Sequence, residues 1–570
     1  MPSPKPPSPA TSIPTLEDIN LFSSDVALQD AMVREGANLA AKRLAGFGLM
    51  TGSASAMELG ALANAHGPRL TTHDRNGARC DRVDYHPAYH GLMDMSMSEG
   101  LHTSAWLAVT ASGGPPRQSL YVERAGSLYM AAQADAGHLR SISMTHSAVP
   151  ALRRNAEVAD TWVPKIASRS YDRSAHAADS KTSLTVAFAF AEGPGGDASA
   201  IAATAVPIAA TAAPIAATAV PMAGGSLYAV SGVKWSIAAP DSDGLLVLAN
   251  TGSATAKAVS CFLVPRMLPD DQPNSFIIRR LKDRLGLHSS ACADIELRNA
   301  QAFLLGSEGQ GLEVLSETIL HARLDTVTVT AGLMRQCLAQ ALHFAEHQCD
   351  GSSPLIGQPL IEQTLADMAL DAEAASALGF RLARAFDRAT DARAAAWRRL
   401  MTPVSAYWVS RRAPVLSAEA IDCLGGIGCL QDWPLARPSR DIPVAALADG
   451  TANSMALDVL RILQREPEVA ETVMEELGQA AGDDPHLRAA HARIEAILHD
   501  PRHLDARGRL LVEALAGLAA GTILRAHGPA AVADAFIMTR MGNEPRQSYG
   551  QGLEWADTRL IVRRASPNQG

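Results

Sequence analysis

The chain has 570 residues, of which 47% are apolar and 19% charged. It can therefore bury a large core, and its length suits roughly two to four domains or one multi-layer enzyme. A net charge of −9 argues against an electrostatic grip on nucleic acid by the molecule as a whole. The seven cysteines (80, 261, 292, 337, 349, 423 and 429) form no CxxC pair and no zinc-ligand spacing. They read as reduced, mostly buried thiols of a cytoplasmic protein without a metal site.

Residues 1–15 are Pro/Ser-rich without an apolar stretch, and read as a disordered tail rather than a signal peptide. Residues 16–182 read as a helical domain. Ala27, Ala31, Val33 and Leu39 begin one amphipathic pattern, MELGALANAH (57–66) is a second and HPAYHGLMDMSM (86–97) a third. His86 and His90 have the i, i+4 spacing of a helical metal pair, but no third ligand stands at a matching offset and Pro87 marks a helix start. No run of 18 purely apolar residues escapes Pro or Gly, so no membrane span is expected.

The texture changes at Ser183. Short runs rich in β-formers, among them SLTVAFAFAEG, SLYAVSGVKWSI, GLLVLANTG and AVSCFLVP, alternate with Gly, Pro, Asp and Asn. They predict a β domain over 183–305. It contains a tandem repeat, IAATAVP, IAATAAP, IAATAVP (201–221), whose recurrent proline argues against a long central strand. One copy is expected to pair in the sheet and the surplus to form a surface loop.

Helical periodicity returns after residue 305. Ile361, Leu365, Met368, Ala372, Ala375, Leu382 and Phe386 make one continuous apolar stripe, predicting a four-helix bundle over 306–464. A further helical domain is expected over 465–545 and a polar tail over 546–570. Residues 465–570 hold 12 Arg, no Lys and 15 Asp plus Glu, a net of −3. The fold class is thus α+β multidomain: helical domain, middle β-barrel or sheet domain, helical bundle and an extra C-terminal helical domain.

The stretch 441–460, DIPVAALADGTANSMALDVL, places an acidic residue at a loop-to-helix junction. Pro443 to Ala448 read as a weakly structured apolar run, and a helix begins near Ala452. Asp449 is there either as a helix N-cap or as a general base on a rigid element.

Four motifs surround this stretch. FAEGPGGDAS (190–199) comes after a strand and is glycine-rich, which lets backbone approach a ligand. GVKWSIA (232–238), LKDRLGLHSSACADIELRNA (281–300) and LGGIG (424–428) are the other three. In order and spacing they resemble the flavin-contacting segments of the acyl-CoA dehydrogenases. MELGALAN (57–64), YHPAYHGLM (85–93), SISMTHSAVPAL (141–152), CFLVPRMLPD (261–270), RLARAFDRATDA (381–392) and NSMALDVLR (453–461) narrow the resemblance to the adaptive-response, AidB-like, subgroup.

The resemblance implies FAD as cofactor and α,β-dehydrogenation of a small or unusual acyl thioester. It puts Asp449 at the position of the catalytic base. Flavin contacts would come from Phe190, Ala191, Glu192, Gly195, Gly196 and Asp197, from Trp235, Ser236, Ile237 and Ala238, and from Gly450, Thr451 and Asn453. Gly425, Gly426 and Gly428 would approach the cofactor of a neighbouring subunit. A homotetramer and an acyl-CoA-like substrate are implied with it, and either an electron-transfer flavoprotein or oxygen as electron acceptor.

Several residues depart from the family pattern. The base position holds Asp instead of Glu, which withdraws the carboxylate by about 1.3–1.5 Å and costs about 10²-fold in rate if nothing compensates. Ala448 replaces an aromatic residue, Ala191 a threonine, Asp197 a serine and Ala238 a hydroxyl-bearing residue. HQCDGSSPL (347–355) is one residue short, with Cys349 where the subgroup has Arg. Two alternatives therefore stand: DNA-associated protection against alkylation, as the subgroup name implies, and a scaffold that has lost flavin chemistry. The acidic balance of the C-terminal region weighs against the first.

Overall fold

The computed structural model describes residues 13–106, 119–193, 218–221, 227–251, 258–542 and 548–568. Seven helices come first: α1 (Val26–Arg34), α2 (Ala41–Thr51), α3 (Ala54–Ala65), α4 (Pro87–Glu99), α5 (Leu120–Ala134), α6 (Leu139–Leu152) and α7 (Ala156–Ile166). Their starts follow their caps. Asp25 caps α1, Ser53 caps α3 and Asn155 caps α7, each accepting a backbone N–H of the first turn. His86 is the cap of α4, ahead of Pro87, with its Nδ1 accepting from Ala88 N–H at 3.2 Å.

The amphipathic reading of the first helix is off by one face. Leu28, Ala31 and Met32 are buried, whereas Val33 is 65% and Leu39 95% exposed. A hairpin, β1 (Arg69–His73) with β2 (Arg79–Asp84), also interrupts the region expected to be helical. Its turn is Asp74-Arg75-Asn76-Gly77, with Gly77 at φ +80° and the Asp74 carboxylate accepting from Asn76 and Ala78 N–H.

Strands fill residues 186–305: β3 (Val186–Ala189), β4 (Thr218–Pro221), β5 (Leu227–Ala238), β6 (Gly244–Asn250), β7 (Val259–Pro265), β8 (Phe276–Leu281) and β9 (Cys292–Leu305). β6, β4, β5, β9 and β7 close into a ring, because β7 pairs back onto β6. Such closure removes sheet edges. β3 lies parallel on β6, and β8 pairs with β9. The ring is filled by small and branched side chains such as Ala187, Val230, Val247, Val264 and Ile295. The repeat ends in β4; residues 201–217, and with them the expected surface loop, lie outside the described residues.

Helix α8 (Gly311–His347) is the axis of the C-terminal half. It packs on α5, α6 and β7, and on α9 (Pro359–Asp387), α10 (Ala392–Leu424) and α11 (Ala436–Ala446). Beside it, Arg124 of α5 and Asp325 of α8 form a bidentate pair at 2.5 and 2.7 Å, both side chains almost wholly buried. The predicted stripe on α9 is buried from Leu365 to Phe386. A short hairpin, β10 (Cys349–Asp350) with β11 (Ser353–Pro354), connects α8 to α9 and leaves Cys349 exposed.

Pro443 corrects the reading of 443–448 as weakly structured: it lies within α11. An interior proline costs about 3 kcal/mol. Here Ile442, Ala445 and Ala446 are buried along the same helix, and the buried Asp441 carboxylate accepts from Leu287 N–H at 2.5 Å.

The remaining helices are α12 (Ala452–Arg465), α13 (Pro467–Ala481), α14 (Pro485–Leu498), α15 (Gly508–His527), α16 (Ala530–Met541) and α17 (Thr558–Ala565). By length and composition α15 could cross a membrane, but it is the core helix of this region, with Leu511, Leu515, Leu518 and Leu524 buried. The expected polar tail is corrected too, since α17 packs on α1 and α9. Arg540 anchors this end, held between the fully buried carboxylates of Asp367 and Asp371, with Tyr549 donating to Asp371 at 2.8 Å. A sequence scan sees only scattered charges there. The structure pairs them where they are desolvated.

Candidate active site

One cleft of about 640 Å³ lies where the β domain, α6, α8 and the α11–α12 junction meet. Each wall has a local cause. β5 carries a bulge between Lys234 and Ile237, with Ser236 at φ +60°. Trp235 keeps the outward phase of Ser231 and Val233 and lines the cleft, and the bulge re-phases the strand at Ser236, so that Ile237 is buried. Trp235 N–H donates to Ala191 C=O at 2.8 Å, joining two segments far apart in sequence. Phe190, Ala191, Trp235, Ser236 and Ala238, all expected at a flavin, line this wall. Lys282 Nζ sits 3.6 Å from the centroid of the Trp235 ring and belongs to a neighbouring recess.

Asp449, Gly450 and Thr451 line the opposite side. Thr451 is the cap of α12, accepting from Ser454 N–H at 3.2 Å, so Asp449 does not act as a cap. The Asp449 side chain is instead only 8% exposed and held from α6 and α8. Arg140 Nη1 lies 3.2 Å from Oδ2 and Nη2 3.5 Å from Oδ1. Thr326 Oγ1 donates to the same Oδ2. Arg323 Nε donates to the Asp449 carbonyl at 3.2 Å, and its Nη2 pairs with Asp458 at 2.7 Å.

Other expected site residues lie elsewhere. Ile237 is buried in the ring core. Glu192 pairs with the fully buried Lys234, whose Nζ also meets Leu248 C=O, so its carboxylate serves the strand packing. Asn453 is exposed and accepts from Arg509 at 2.9 Å. Gly425, at φ +65°, and Gly426 lie on the surface with open space where a Cβ would stand, while Gly428 packs under Ile421. Gly195, Gly196 and Asp197 lie outside the described residues.

Sequence reasoning missed the arginines. Arg140, Arg284 and Arg323 all line the cleft. Arg284 Nη2 donates to the carbonyls of Leu287 and Ser290 at 2.7 and 2.5 Å. Their signal was present: Arg323 interrupts an apolar helix face, and Arg140 directly precedes one of the family segments.

A flavin ring system fits this wall. Trp235, Phe188 and Phe190 supply flat apolar surface beside the peptide of Ala191, and the volume lies in the usual range for ligand sites. Leu285 and Leu447 line the cleft yet are 61% and 59% exposed, apolar surface of the kind a bound molecule covers.

Comparison with known proteins agrees with the geometry. Residues 12–173 match the adaptive response protein AidB N-terminal domain, and 309–464 match the acyl-CoA dehydrogenase C-terminal domain. The putative acyl-CoA dehydrogenase AidB of Escherichia coli K12 is 35% identical over 487 residues, covering 85% of this chain and 86% of its own. The structure of Caenorhabditis elegans ACDH-11 in complex with C11-CoA superposes with a TM-score of 0.80 at 21% identity, covering 98% of this chain and 96% of that one. An acyl-CoA dehydrogenase of Bacillus anthracis complexed with FAD superposes at 0.58 with 19% identity, over 84% and 83% of the two chains.

Proposed function

Because the chain belongs to the acyl-CoA dehydrogenase family, in its AidB group, we propose that it is an FAD-dependent oxidoreductase acting on an acyl thioester. Its reaction is α,β-dehydrogenation of a small or unusual acyl group. The observation that carries this reading is the convergence of Trp235, Phe190 and Ala191 with Asp449 around one cleft. Family members of known structure that bind FAD or an acyl-CoA support it.

Trp235, Phe190 and the Ala191 backbone would hold the flavin ring, and FAD, when bound, supplies the acceptor for the substrate hydride. Asp449 would take the α-proton on its carboxylate, held in place by Thr326 and by the Arg323 contact to its carbonyl. Leu285 and Leu447 would close over the ligand and exclude water. Gly425 and Gly426 are open to meet a second copy, in line with a homo-oligomer, a tetramer by resemblance. An electron-transfer flavoprotein is the proposed oxidant of the reduced cofactor.

The test is direct. Protein purified under mild conditions should carry near-stoichiometric FAD, and its flavin absorbance should bleach anaerobically on adding a substrate acyl-CoA. Colourless protein that takes up no added FAD would sink this reading.

A further inference from the structure

The polar groups of the cleft are unbalanced for a neutral acyl chain. Three guanidinium groups line it, Arg140, Arg284 and Arg323, against one carboxylate, Asp449. Arg323 is matched by Asp458 beyond the lining, and Arg284 hydrogen-bonds backbone carbonyls. Among the described residues, Arg140 is therefore matched only by Asp449, the group that has to accept a proton.

That pairing sets a requirement. Arg140 is 15% and Asp449 8% exposed at the side chain, so water screens the pair weakly. A neutral acyl chain would leave Asp449 tied to a cation, with its proton-accepting oxygens occupied. Pulling Arg140 away without replacement would leave two buried charges unpaired, which is strongly unfavourable. An incoming anion takes the guanidinium in its place, and Asp449 keeps its Thr326 hydrogen bond while its outer oxygen is freed for the α-proton, whose transfer neutralises the carboxylate left without a cation.

We propose that the acyl substrate carries a second carboxylate a few bonds from its α-carbon, and that Arg140 exchanges Asp449 for that carboxylate on binding. The inference rests on the acyl-thioester reading above and names its substrate class. The carboxylate must lie near the reacting end, because Arg140 reaches Asp449 itself. Arg284, at the same cleft, adds positive potential for the approach. Arg140 is in this role a specificity and positioning residue. Charge-assisted, two-pronged contacts of this kind are the strong ones, and the fork of arginine suits a carboxylate.

The test measures binding to the full-length, FAD-loaded protein by calorimetry, with succinyl-CoA and butyryl-CoA as probes. Succinyl-CoA should bind at least about tenfold more tightly. Arg140→Gln should bring the ratio close to one, and Arg140→Lys should restore part of it. Equal binding, or preference for butyryl-CoA, overturns the proposal and leaves the acyl-thioester reading standing. A preference that survives in Arg140→Gln overturns the assignment to Arg140. Binding of neither thioester overturns the underlying reading, and the proposal with it.

Discussion

The Arg140 guanidinium and the Asp449 carboxylate face each other across the cleft with Nη1 to Oδ2 at 3.2 Å, although 309 positions separate them in the chain. α6 supplies one partner and the turn before α12 the other, and Thr326 of α8 ties the carboxylate to the central helix. The position assigned to the base is thus held by three separate elements.

Asp449→Asn should lower the rate of flavin bleaching by an acyl-CoA about 10²-fold or more, the usual contribution of a positioned general base. FAD content should be unchanged, since Asp449 stands opposite the Trp235 wall. Anaerobic stopped-flow absorbance measures both. Bleaching at the unaltered rate would remove Asp449 from the role.

The Arg124–Asp325 pair is buried at 1% and 2% side-chain exposure. Asp325→Ala leaves an unpaired buried cation and should cost about 3–5 kcal/mol. Replacing both partners, Arg124→Met with Asp325→Leu, should cost much less. Urea melts of the single and double variants decide it, and equal losses would contradict the argument.

At Gly332 of α8 an added Cβ would meet the Tyr129 carbonyl of α5 at 2.3 Å, whereas at Gly517 of α15 it would meet nothing. Gly332→Ala should destabilise by about 1–3 kcal/mol by forcing two helices apart. Gly517→Ala should stabilise by up to about 1 kcal/mol through backbone entropy. Thermal unfolding of the two variants should move in opposite directions.

Burial pushes His102 and His321 down to about 4, so the fold holds both neutral. The unfolded chain binds more protons below its ordinary histidine value near 6.5. Their stabilising contribution is full above that value and is lost as the pH falls toward 4, by roughly 3 kcal/mol each at the limit. Asp387 and Asp441, pushed up to about 7 and about 6 by burial, act in the opposite sense. A difference measurement isolates the histidine effect: the stability gap between wild type and His321→Gln should narrow between about pH 7 and pH 5. A gap independent of pH would refute it.

At least one ring nitrogen of fully buried His146 lacks a hydrogen-bond partner among the described residues, while its ring stacks on Trp106 at 5.0 Å. An unpaired buried polar group costs about 1–3 kcal/mol. His146→Phe should therefore raise the melting temperature, and a lower one would show that the ring nitrogens are satisfied in solution.

Much of the architecture is legible along the chain. The apolar stripe on α9 predicts its buried face because a helix repeats its environment every 3.6 residues. The β-rich texture from Ser183 marks the sheet because strand residues and turn residues differ in kind. Phe190, Ala191, Trp235 and Asp449 stand out because their motifs succeed one another in family order. The hairpin at 69–84 carries a turn signal in Asn76-Gly77, which a helical reading of 16–182 passes over. Pro443 misleads because a local cost is outweighed by burial at Ile442, Ala445 and Ala446.

The order of helical and β segments, the family, and several of the residues that line the cleft can all be read from the chain, since each rests on local pattern or on a contiguous motif. The packing of distant elements settles the rest: Asp449 is bound by Arg140 and Thr326 instead of capping α12, Glu192 serves Lys234, and Arg540 locks the C-terminal end onto α9. Charges pair through space, and whether a pair is screened by water or held in a desolvated cleft depends on which elements close around it.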